Sequence, residues 1–205
     1  MGNEADIAID GANPLSHKAR PTYEPQMRVQ AFMGARGGET RLERLILLRH
    51  GKAEADAHSG QDFDRVLTDR GRRDTLLVAK AMAEDGLYPN LVLVSPAARA
   101  RQTWEAAAEV FSRTLFKIIP ALYQIEPDEI LELARTEGRA ARTLMIVGHN
   151  PGLGALSAQL AVDAKAAPEV MARIGMSFPT GAASVTHFDP PSFCLYAPKA
   201  LGGGA

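Results

Sequence analysis

Hydrophobic and polar positions divide the chain near residue 44. Before it, charged residues, Pro, Gly and Asn are scattered among isolated apolar pairs with no helical or strand period. After it, short apolar runs alternate with longer amphipathic stretches. Three runs, LILL at 45–48, LVLV at 91–94 and LMIV at 144–147, contain no polar residue. Runs this short without alternation predict strands buried on both faces, hence a parallel sheet. Residues 115–119 predict a further strand, and 182–188 and 193–196 predict closing strands with an antiparallel edge. Helices fill the intervals. Thr68 caps one that runs to about Glu84 and is stopped by Gly86. Ser95 as N-cap and Pro96 at the first helical position open a second, reaching about Phe111. Pro127 starts a third over about 127–137, and Asn150-Pro151 repeats the cap-and-proline signature before a fourth ending near Val162. Residues 51–66 and 163–180 read as loops. Strands alternating with helices predict an α/β protein, a three-layer α/β/α sandwich with a mostly parallel central sheet.

A chain of 205 residues fits one domain, expected over 41–198. Residues 1–40 read as a flexible N-terminal extension and 199–205, ending in Gly202-Gly203-Gly204, as a flexible C-terminal tail. The 23 basic and 24 acidic side chains balance, so no overall field attracts nucleic acid or an anionic membrane, and any anion site must be local. Cys194 is the one cysteine; it can form no intrachain disulfide and reads as a small apolar filler. The sequence has no run long enough to span a membrane and no secretory signal at its start, which predicts a cytoplasmic protein.

The predicted strand ends carry the chemistry. Arg49-His50-Gly51 follows the first run, Ser95-Pro96 with Arg99 the second, and Gly148-His149-Asn150-Pro151 the third. Ligands of parallel sheets bind at the carboxyl ends of the strands, so these residues are expected at one sheet edge. A histidine after a strand is more often structural than catalytic, but His50 has Arg49 before it and Gly51 after it. An arginine leaving a buried strand calls for an anion or a carboxylate, and a glycine lets backbone approach a ligand closely. A neutral imidazole there can attack phosphorus and form a phosphohistidine. Arg99, in the first turns of its helix, would act on the same anion as the helix end. Arg101, two residues on, faces elsewhere and reads as solvated. Thr103 shares the face of Arg99 and either buttresses it or packs. His149 would complete a clamp, charged or donating a hydrogen bond, although a turn residue before a helix explains it too. Arg65, in the polar loop, either closes over the site or pairs with an acidic neighbour. His17 and His187 read as non-functional, His58, in the loop after RHG, either visits the pocket or is solvated, and Trp104, Leu76, Leu77 and Met82 read as core.

RHG at 49–51, SPAARARQT at 95–103 and VGHNPGL at 147–153 resemble the motifs of the histidine phosphatase superfamily, branch 1, and more closely its small SixA-like phosphohistidine phosphatases. DFDRVLTDRGRRD at 62–74, LVLVSP at 91–96 and PTGAASVTHFD at 179–189 are also similar to that group. The resemblance covers roughly residues 44–198 and implies a phosphoglycerate-mutase-like fold without a helical lid subdomain. It implies His50 as nucleophile, Arg49 and Arg99 as phosphate clamps, His149 as the second core histidine, and Arg65 as a further phosphate-facing arginine. Gly51 and Asn150 complete the expected substrate-binding set. No metal or organic cofactor is implied.

Larger relatives place a helical lid and a carboxylic acid before the strand that leads to the second histidine, whereas residues 120–143 have room for one helix. A lidless pocket suits a phosphorylated side chain on another protein. A protonated imidazole leaves readily, so a dedicated acid matters less. Glu126 and Glu129 are explained by the helix dipole, and no proton donor is assigned. The expected activity is removal of phosphate from a phosphohistidine-bearing protein, such as a histidine phosphotransfer domain, in signal transduction. The alternatives are a phosphatase of small phosphate esters and a non-catalytic phosphate-binding module.

Overall fold

The computed structural model describes residues 42–204. The expected flexibility of residues 1–40 lies outside this range. Six strands form one sheet in the order β3-β2-β4-β1-β5-β6, with β1 at Arg44–Arg49, β2 at Leu91–Val94, β3 at Leu115–Ile118, β4 at Thr143–Gly148, β5 at Ala183–Phe188 and β6 at Pro191–Tyr196. The first four in that order are parallel. β5 runs antiparallel to β1, and β6 antiparallel to β5. The three polar-free runs are the central strands; every residue of β4 is buried, and Leu45, Ile46 and Leu47 of β1 are fully buried. β3 is the open edge and its residues are exposed.

The described residues include five α-helices, α1 at Asp69–Glu84, α2 at Ala98–Ala108, α3 at Pro127–Glu137, α4 at Gly152–Asp163 and α5 at Pro168–Met176, of which the first four flank the sheet and α5 packs on α4. Alternate residues along each strand serve opposite faces. Ile46, Leu48, Val92, Val94, Met145 and Val147 pack with Val78, Ala79 and Met82 of α1 and Ala100, Trp104 and Ala107 of α2. Leu45, Leu47, Leu93, Leu144 and Ile146 pack on the other side with Ile130, Leu131 and Ala134 of α3 and Leu153, Leu156 and Leu160 of α4. The result is a three-layer α/β/α sandwich. No helix among the described residues is long and apolar enough to cross a membrane.

Several expectations are corrected. Residues 163–180 are not all loop, because Pro168 opens α5. It is only nine residues long, with Ile174 buried and Val170 and Met171 half-buried, so its period spans too few turns to stand out. Neither Ser95 nor Asn150 caps a helix. Ala97 and Pro151 occupy the cap positions of α2 and α4, without side-chain cap bonds. The reason in both cases is a competing partner: Ser95 bonds His149, and the Asn150 amide donates to the Phe178 carbonyl at 3.1 Å. Leu76 and Leu77 are half-buried; the core side of α1 is Thr75, Val78, Ala79 and Met82. At the C-terminus, the described residues of 199–205 lie against α1. Pro198–Leu201 form a 3₁₀ turn, and the Gly204 N–H donates to the Asp74 carboxylate at 3.0 Å.

Candidate active site

β1, β2 and β4 end side by side, and the chain leaving each delivers polar side chains to one cleft at their carboxyl ends. Two glycines make the first delivery possible. A Cβ on Gly51 would sit 2.6 Å from the Gly71 carbonyl oxygen, and one on Gly71 would sit 2.1 Å from that of Lys52. The loop after β1 therefore lies directly against the start of α1. The Gly51 N–H donates to Thr103 Oγ1 at 3.0 Å, and that hydroxyl donates to the Arg99 carbonyl at 2.6 Å. Thr103 thus joins the His50 loop to the helix bearing Arg99.

His50 is 8% exposed, and its Nδ1 lies 2.8 Å from the Gly51 carbonyl. A carbonyl only accepts, so Nδ1 carries the proton and Nε2 keeps a free lone pair. Burial, reinforced by the charges of Arg99, Arg49 and Arg65, lowers its pKa to about 4. His149 lies beside it, ring centroids 5.1 Å apart. Burial, then His50 and Arg99, lower its pKa to about 3, so of the two states considered for this imidazole at neutral pH the hydrogen-bonding one holds. Its Nε2 is 2.7 Å from the hydroxyl of fully buried Ser95.

Arg49 donates to the Phe178 carbonyl, and its Nε is buried without a partner. Arg99 is 5% exposed; its two terminal nitrogens donate to the Asp62 carbonyl at 2.6 Å and the Asp62 carboxylate at 2.8 Å, while its Nε has no partner. Arg65 pairs with the same carboxylate at 2.9 Å and donates to the Glu54 carbonyl. Tyr123 adds a hydroxyl donor at 3.0 Å and sets its ring edge-on to His149. Burial opposes ionisation of Asp62, but the bonds from Tyr123, Arg99 and Arg65 outweigh it and hold the carboxyl at about 2. One carboxylate thus gathers two arginines and a tyrosine.

A cavity of about 300 Å³ is lined by Arg49, His50, Lys52, Ala53, Arg65, Arg99, His149, Asn150 and Thr180. Six of the seven residues singled out in the sequence line this cavity; Gly51 does not, and bears on it through the carbonyl that receives His50 Nδ1. Arg101 is exposed on the far side of its turn, and His58 is exposed in the loop after β1. The sequence reading missed Ser95 as a site residue, and it missed Asp62 and Tyr123. Asp62 was visible only as one of several acids in the polar loop, and nothing in the chain pattern marks Tyr123.

This fold, with paired histidines and arginines at the tips of its strands, defines a class of phosphoryl-handling enzyme. The sequence profile of the histidine phosphatase superfamily, branch 1, matches residues 45–142. A protein of undescribed function from Picosynechococcus is 34% identical over 167 residues, covering 77% of this chain and 98% of its own. The structure of SixA from Agrobacterium tumefaciens, assigned as a phosphohistidine phosphatase, superposes with a TM-score of 0.68 at 29% identity, covering 77% of this chain and 99% of that one. The protein histidine phosphatase SixA solved with tungstate gives a TM-score of 0.57 at 25% identity, covering 77% and 99%. The chain belongs to the histidine phosphatase superfamily, branch 1, and is SixA-like; that membership makes it a phosphatase.

Proposed function

We propose that the chain removes phosphate from phosphohistidine on a protein by way of a phosphoenzyme at His50. The observation that carries the mechanism is the His50 imidazole: its Nδ1 proton is committed to the Gly51 carbonyl, its ring is neutral at physiological pH, and Arg49, Arg65 and Arg99 line the same cavity. Nε2 attacks phosphorus, and the P–N bond to the substrate imidazole breaks with its electron pair returning to that nitrogen. Water then attacks the phosphohistidine, the P–Nε2 bond breaks, and neutral His50 and inorganic phosphate result. Arg49 and Arg65 offset the charge on the equatorial oxygens, and His149 supplies a hydrogen-bonding imidazole beside them. Arg99 lines the same cavity, its two terminal nitrogens held by Asp62.

The connection between β3 and β4 supports a protein-borne substrate. It holds only the turn at Pro120–Leu122, α3 and the turn at Gly138–Ala140, none of them large enough to roof the cleft. A phosphorylated side chain can enter from a partner's surface. His50→Ala should abolish dephosphorylation of a phosphohistidine protein, and brief exposure of the wild type to substrate should leave acid-labile phosphate at position 50. Undiminished turnover by the variant would reject the nucleophile. Rapid hydrolysis of small esters alongside inert phosphohistidine would reject the substrate class.

A further inference from the structure

The cleft continues beyond the cavity that His50 lines. A second lobe of about 280 Å³ shares Arg99, His149 and Asn150 with the first and is otherwise lined by Asp62, Tyr123, Gln124, Ile125, Glu126 and Pro151. Charge segregates between the two. The first lobe has Arg49, Lys52, Arg65 and Arg99 and no carboxylate. The second has two carboxylates, and its single cation, Arg99, gives both terminal nitrogens to Asp62. Arg99, His149 and Asn150 line both lobes and so mark the junction between them.

Phosphoryl transfer is roughly in line, so the leaving group departs on the side of phosphorus opposite the nucleophile. His50 lines only the basic lobe. With the phosphoryl group at the junction, the leaving group therefore occupies the acidic lobe. Local structure fixes that wall in place. Gln124 turns the chain with φ 60°, a left-handed backbone costly for a side-chain-bearing residue and common where function over-determines a conformation. Two residues on, Glu126 is the N-cap of α3, its carboxylate anchored on the Glu129 N–H while remaining exposed.

We infer that this second lobe is the leaving-group subsite and that Glu126, with Asp62, makes it select a leaving group carrying positive charge, such as a protonated imidazole or an ammonium, over an anionic one. The inference rests on the proposed His50 attack for the direction of departure, and it deepens that reading. It adds a specificity residue: Glu126 acts on substrate charge, not on proton transfer.

Phosphoethanolamine and phosphoglycolate carry opposite charges on small leaving groups of similar size. Their dissociation constants, measured by calorimetry in a His50→Ala background with inorganic phosphate as reference, test the inference without turnover. Phosphoethanolamine should bind more tightly, and adding Glu126→Gln, which keeps the cap's acceptor oxygen, should shrink the preference about fivefold, as expected for one partly solvated charge pair. Glu126→Lys should reverse it. Because a ratio is read, partial unfolding does not imitate the result. A preference unmoved by Glu126→Gln, tighter phosphoglycolate in the parent, or no binding of either ester where inorganic phosphate binds would overturn the subsite. Loss of phosphohistidine dephosphorylation by the wild type itself would overturn the function and leave the charge preference to be read separately.

Discussion

Burying two imidazoles beside three arginines makes their protonation unfavourable, and this couples the site to stability. His50 and His149 titrate near 4 and 3 when folded and near 6.5 when unfolded. Below pH 6.5 the unfolded chain binds more protons, so stability should fall as pH drops from 6.5 toward 4. For His50 alone the loss at pH 5 is roughly 2 kcal/mol, the part of its shift from 6.5 to about 4 that is expressed by that pH. Urea denaturation at pH 7 and pH 5 should show this decline, and His50→Asn should lessen it while His149 keeps its own share. Asp62 presents a different case. It occupies both terminal nitrogens of Arg99 and pairs with Arg65, so it competes with any anion for them. Asp62→Asn should tighten inorganic phosphate about threefold or more at low salt, on the scale of a partly screened unit charge, read by product inhibition. Arg49, His50, Arg99 and His149 were legible because each directly follows a polar-free run or opens the helix after one. Ser95, Asp62 and Tyr123 were not, because hydroxyls and acids next to turns already have local explanations and their true partners lie 54 and 37 or more residues away.

The loop after β1, the start of α1 and α2 act as one unit. Gly51 abuts Gly71, and Thr103 links Gly51 to Arg99. Gly71→Ala places a methyl group against backbone that cannot rotate away and should cost about 3 kcal/mol or more, measured as a lowered denaturation midpoint. Thr103→Val keeps the shape but leaves the Gly51 N–H buried and unpaired. It should cost about 1–3 kcal/mol and lower turnover, whereas an ordinary packing threonine would affect stability alone. Most elements could be read from the sequence to within a residue or two because the buried strands lack polar alternation and Thr68 and Pro127 mark real helix starts. Helix caps failed where a tertiary partner outbid the local one, as at Ser95 and Asn150. α5 failed because nine residues give too few turns for a helical period to be told from a loop.

At the scale of the molecule, fold class followed from element order, but strand order did not. β4 is inserted between β1 and β2, which precede it in the chain by about 95 and 50 residues and do not touch each other without it. Parallel pairing depends on such distant closures. The cleft is then completed from the late chain: Phe178 supplies the carbonyl that receives Arg49 and Asn150, and β5 flanks β1 on its other side. A nascent polypeptide that has emerged only as far as α3 carries His50 yet has no neighbouring strand beside β1 to hold it. The cleft therefore assembles only once β4 and β5 have been made, because β4 is what brings the ends of β1 and β2, with Arg49 and Arg99, to one edge.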